Sequence, residues 1–223
     1  MPRPRHPSKE AVITAFRCSA LLEAAQKVFG RCGFDGATME RIAQEAGVAK
    51  GKIYLYYPSK QSIYDAALNS ALAELDDVTR LRLDAAATVR EAVSAFIQAR
   101  TEYFLARPDF FCMYIAAVTA HITTRKKRAT ELRSIFDRQT RALEALIARG
   151  VARGEVRRVD PAATALAIFD VTRGFVARTL FLSPGAAGGA GTSGNTEFLA
   201  ELIWHGLGRP DATKTKTPMK RKR

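Results

Sequence analysis

TMERIAQEAGVAKGKIYLYYPSK, residues 38–60, decides the fold of this 223-residue chain. Thr38 is suited to cap a helix, because its hydroxyl can accept a bond from a first-turn N–H. Met39, Ile42, Ala43 and Ala46 then recur at helical spacing. Gly47 permits a left-handed turn. A second short helix is predicted over about residues 49–56. The Pro58-Ser59-Lys60 break stops it, and Ser59 caps the helix that follows. Two short helices joined by a glycine turn make a helix-turn-helix, whose second helix fits the DNA major groove.

Working outward, the pattern stays helical on both sides. Upstream, Leu21, Leu22, Ala25, Val28 and Phe29 form the apolar stripe of a helix over about residues 12–32. Gly33 stops it, and Phe34 is placed to fold back on the small core. Downstream, Ile63, Ala66, Ala67 and Ala71 carry a long helix over about residues 59–83, with no flexible linker behind the motif. Further helical segments are predicted over residues 88–106, 109–123, 129–153, 161–181 and 196–207. Pro108 breaks one pair, Gly154 ends another, and Asp160-Pro161 opens the next as cap and first residue. Residues 183–195, SPGAAGGAGTSGN, read as a flexible glycine-rich loop. The fold class is therefore all-α. Its organisation is a flexible basic arm (1–10), a helix-turn-helix domain (11–58), a larger helical domain (59–208) and a basic tail (209–223).

Charge points the same way. The net charge is +13, but it is unevenly placed. Residues 1–60 carry 10 Lys/Arg against 5 Asp/Glu, and residues 209–223 carry 7 against 1. The long middle, 61–208, is nearly balanced at 18 against 16. Excess cation at the two ends suits a polyanion such as double-stranded DNA. Solubility is the competing reading for the tail.

No run of about 18 apolar residues suggests a membrane span. The basic N-terminus lacks the apolar segment of a secretory signal, so a cytoplasmic location is expected. Cys18, Cys32 and Cys112 form no C-x-x-C pair, so neither a disulfide framework nor a metal site is expected. The three histidines are scattered, and no G-x-S-x-G, Walker A or H-E-x-x-H run occurs. No catalytic residue and no cofactor are expected.

The recognition helix, starting at Ala49, has its own chemistry. Lys50 and Lys52 can meet guanine edges or phosphates. Gly51 lets the backbone approach the groove closely. Tyr54 offers a ring and a hydroxyl, and Leu55 an apolar contact for a thymine methyl. Tyr56 and Lys60 are placed for phosphates, as is Thr38. Ile53 and Tyr57 read as core. The stretch resembles the TetR family of bacterial repressors, on the run ATMERIAQEAGVAKGKIYLYYPSK and the helix from Leu22 to Gly36. Thr38, Lys50, Gly51, Tyr54, Tyr56 and Lys60 look like that family's DNA-facing residues. Ala49 stands where serine or threonine is frequent, Lys52 where a small residue is common, and Leu55 where a polar or aromatic residue often sits.

The resemblance implies a repressor released from a palindromic operator by a small effector, with the larger domain binding the effector and forming a homodimer. Here the aromatic-rich stretch offers Tyr103, Phe104, Phe111, Tyr114, Val118 and His121, with Phe169 beside them, as an effector pocket for an apolar or aromatic molecule. Ordinary core packing competes for each. For the dimer, Ala167, Val171, Gly174 and Arg178 make a stripe that permits close helix approach, with Phe175, Phe198 and Leu202 around it. Intramolecular core is again the competing reading. An architectural DNA-binding protein and an activator are the functional alternatives.

Overall fold

The computed structural model describes residues 9–123, 130–182 and 190–207. Among them the chain forms nine α-helices and no β-strand: α1 (Lys9–Gly36), α2 (Met39–Glu45), α3 (Lys50–Ile53), α4 (Lys60–Asp84), α5 (Val89–Leu105), α6 (Pro108–Thr123), α7 (Thr130–Arg153), α8 (Pro161–Leu182) and α9 (Ala190–Leu207). The all-α class expected from periodicity is what the chain adopts. Two compact units result, one of Met1–Val78 with Arg100–Asp137 and one of Thr79–Ala99 with Arg138–Arg223. The cut follows packing, so it does not coincide with the functional boundary expected at residue 58. Most of the basic arm, residues 124–129 and 183–189 and the basic tail lie outside the described residues.

The first unit is built on α1. Leu21, Ala25, Val28 and Phe29 are buried there, while Leu22 is half-buried. Gly33 interrupts the helix with φ +70°, a left-handed conformation that suits glycine. The chain turns back so that Phe34 stacks on Phe29 at 5.9 Å and meets Tyr64 of α4 edge-on at 5.2 Å. Met39, Ile42 and Ala43 of α2, Ile53 of α3 and Ile63 and Ala67 of α4 complete this small core. Burial of each of the larger side chains, Leu, Ile, Val, Met or Phe, is worth roughly 1.5–3 kcal/mol.

α6 lies directly against α1. A Cβ placed on Gly30 would sit 2.2 Å from the Asp109 carbonyl oxygen, so the two backbones touch where only glycine leaves room. Beside that contact Arg31 bridges two elements, reaching Asp109 at 3.5 Å and Glu45 of α2 at 3.2 Å. Below it Tyr103, Phe104, Phe110, Phe111 and Tyr114 form one aromatic cluster, with ring centres 4.9–6.4 Å apart along its contacts.

The second unit buries Val89, Val93, Phe96 and Ile97 of α5, Leu143, Leu146 and Ile147 of α7, Ile168, Phe169 and Val176 of α8 and Leu199 of α9. Phe96 and Phe169 meet edge to face at 5.0 Å. Asp160 caps α8 as expected, its carboxylate accepting from the Ala163 N–H at 3.0 Å. One expectation needs correction. α9 begins at Ala190, so residues 190–195 are helical rather than the end of a loop. The glycines there cost helix propensity, and the buried face of the following turns outweighs that local cost.

Candidate nucleic-acid interface

Thr38 has extended backbone and its hydroxyl accepts from the Arg41 N–H at 3.2 Å, which fixes the start of α2. Gly47, at φ +66°, makes the left-handed turn after it. The Val48 N–H then donates to Ala43 at 2.9 Å and closes α2. α3 follows within two residues. Its cap, Ala49, has no side-chain hydrogen bond, in keeping with the missing serine or threonine.

α3 is shorter than the predicted helix. Regular α geometry covers only Lys50–Ile53. Leu55 and Tyr56 donate to the carbonyls three residues back, so Tyr54, Leu55 and Tyr56 lie in tightened turns. Pro58 supplies the reason: it lacks an N–H and disfavours the helical conformation in the residue before it. The next helix starts with a reciprocal pair. The Ser62 N–H donates to the Ser59 hydroxyl and the Ser59 N–H to the Ser62 hydroxyl, both at 3.1 Å.

This backbone sorts the motif side chains into two sets. Ile53 is fully buried, as expected of core. Tyr57 is half-buried, and burial together with the Cys18 thiol pushes its hydroxyl pKa up. Lys50, Gly51, Lys52, Tyr54 and Leu55 are exposed, and Tyr56 is half-buried. Leu55 is 80% exposed, a large apolar side chain with no intramolecular surface to cover it. Ala49 and Thr38 are also exposed.

Two cations have partners that the sequence did not disclose. The Lys50 ammonium pairs with the Glu40 carboxylate of α2. Their hydrogen bond holds Glu40 below the ordinary carboxylate range and raises Lys50. Lys60 donates to the carbonyls of Ala37, at 3.1 Å, and Asp35, at 3.4 Å, and lies 4.6 Å from the centre of the Phe34 ring. It clamps the α1–α2 turn, with one of its three donors left for an anion.

The expected effector residues fall differently. Tyr103, Phe104, Phe111 and Tyr114 are buried against one another as core of the first unit. The Tyr103 hydroxyl donates at 2.9 Å to Glu74 and is 3.0 Å from the Ala71 carbonyl; burial first, and Glu74 second, push its pKa well up. Val118 is half-buried, and the His121 side chain lies outside the described residues. Phe169 belongs to the second unit and packs on Phe96. A cleft of about 570 Å³ does open in the first unit, lined among others by Glu23, Lys27, Glu74, Arg107, Asp109 and Phe110. Sequence reasoning missed it, because its residues come from three separated segments and are ordinary surface types.

The expected dimer residues lie in the second unit. Ala167, Val171, Gly174, Arg178, Phe198 and Leu202 are exposed, and Phe175 is half-buried. Phe198 is 65% and Leu202 57% exposed, which removes the intramolecular-core reading for both. Leu166, Phe181 and Leu182 add to the uncovered apolar surface of α8.

A capped helix, a left-handed glycine turn and a short basic helix with outward-facing side chains define a helix-turn-helix DNA-binding protein of all-α build. Residues 21–67 match the model for bacterial regulatory proteins of the tetR family, and residues 85–183 match a tetracyclin repressor-like C-terminal domain. The chain is 25% identical over 194 residues to the uncharacterized HTH-type transcriptional regulator YfiR of Bacillus subtilis, covering 84% of this chain and 91% of YfiR. It is 31% identical over 145 residues to the HTH-type transcriptional regulator RutR of Escherichia coli K12, covering 64% of this chain and 65% of RutR, just under two thirds of that regulator. Its fold matches the ketosteroid transcriptional regulator KstR2 of Mycobacterium tuberculosis with a TM-score of 0.73 at 21% identity, over 87% of this chain and 96% of KstR2. The chain belongs to the TetR family of bacterial transcriptional regulators.

Proposed function

We propose that the chain acts as a homodimeric repressor that binds a palindromic operator and releases it on binding a small effector, with no catalytic step. The observation that carries the DNA part is the uncovered row Lys52, Tyr54 and Leu55 beside an α3 whose inner face is pinned by buried Ile53. In this reading Lys52 and Tyr54 meet base edges, Leu55 a thymine methyl, and Thr38, Lys50, Tyr56 and Lys60 the phosphates, with Ala49 and Gly51 allowing close approach. The uncovered apolar surface of α8 and α9 supports a two-fold partner, which doubles the bases read. Among the described residues no helix is long and apolar enough to cross a membrane, and we place the protein in the cytoplasm on its DNA.

For the effector we propose an apolar or aromatic molecule that displaces the packed rings of Tyr103, Phe104, Phe111 and Tyr114, with Val118 as a further contact. The cleft of about 570 Å³ favours a second reading, a polar effector held by Glu23, Lys27, Arg107 and Asp109, since its volume suits a small ligand. Base reading is tested by Lys52→Ala and Tyr54→Ala. Both should weaken operator binding more than binding to random duplex; equal losses on the two DNAs would sink it.

A further inference from the structure

The Glu40–Lys50 pair joins the first turn of α2 to the start of α3, across the turn that Gly47 makes. Both side chains are more than half exposed, so neither packing nor the core requires the contact. The Glu40 carboxylate thus engages one of the groups assigned to DNA phosphates, and it does so in a segment whose excess charge is otherwise positive. A carboxylate accepting from an ammonium offers the acceptor oxygens and charge sign of a phosphate.

We propose that Glu40 is an internal stand-in for a DNA phosphate: it holds Lys50 in the free protein and so lowers the affinity of the recognition surface for DNA of any sequence. This rests on the operator-binding reading above. When the duplex arrives, Lys50 exchanges one anion for another, and Glu40 is left facing the backbone. The exchange keeps a strongly basic surface from binding every duplex tightly. Non-specific binding is almost wholly electrostatic, so it is the property most sensitive to one such charge.

The test measures binding of the full chain to random-sequence duplex by fluorescence anisotropy across a salt series, for wild type, Glu40→Gln, Lys50→Met and the double variant. Glu40→Gln should tighten binding about threefold, the scale of an exposed ion pair, and steepen the logarithmic salt slope by about 0.9. In the Lys50→Met background the same change should have much less effect. Unchanged or weaker binding by Glu40→Gln, or equal tightening in both backgrounds, overturns the proposal. A second measurement needs no variant: carboxyl-carbon NMR should find Glu40 titrating below the ordinary carboxylate range in the free protein. Ordinary titration there would mean the pair does not exist in solution and would also overturn it. Random duplex separates the two failures. Binding that ignores Glu40 sinks this proposal alone, whereas no binding of duplex by any variant sinks the operator reading with it.

Discussion

Gly51→Ala separates folding from DNA recognition at one atom. Gly51 lies inside α3, its φ is ordinary, and a Cβ built there has no atom within 4 Å. The fold therefore has space for the methyl. Replacing glycine by alanine in a helix gains up to about 1 kcal/mol through the unfolded chain's lost freedom. In a helix of four residues the gain should lie at the low end of that range. On the operator the same methyl stands where the backbone is argued to approach the groove. Forcing a methyl into a packed contact costs roughly 1–3 kcal/mol, which is about 5- to 150-fold in affinity. The assay pairs denaturant unfolding, followed by circular dichroism, with anisotropy on the operator. The expected outcome is equal or greater stability with weaker binding. Undiminished operator affinity would refute the close approach at Gly51, and lost stability would refute the open space.

Two further outcomes follow from packing. Gly30→Ala should do the reverse of Gly51→Ala: its methyl meets the Asp109 backbone, and stability should fall by about 1–3 kcal/mol in urea unfolding. Phe198→Glu should convert the proposed dimer to monomer at micromolar concentration by light scattering, because a two-fold interface through α8 and α9 would lose the ring on both sides at roughly 2 kcal/mol each.

Local grammar was the legible part of the sequence. Thr38, Gly47, Ser59 and Asp160 each act through atoms within a few residues, and each behaves as its type and position require. The small-residue stripe on α8 was legible as well, since helical spacing alone places Ala167, Val171, Gly174 and Arg178 together, and all four are exposed. Other features were not legible. The start of α9 was hidden because glycine-rich sequence reads as loop, and only packing of the later turns extends the helix back to Ala190. The aromatic stretch was ambiguous because cavity walls and packed core use the same residue types; Phe104 and Tyr114, 4.9 Å apart, turned out to fill the space themselves. Glu40 was not singled out, because its partner Lys50 lies beyond the Gly47 turn and side-chain pairing across a turn leaves no mark in helical spacing. The candidate interface was therefore visible as a set of residues, while the pairing that tunes its charge was not.

The central claim is that α3 and the turn behind it read a two-fold symmetric DNA site. Selecting bound sequences from a random duplex pool with the full chain tests it most directly. The account predicts enrichment of one half-site repeated as an inverted pair at fixed spacing, centre to centre about one helical turn or a multiple of it. A pool that stays random, or one enriched for a single unpaired site, would contradict it.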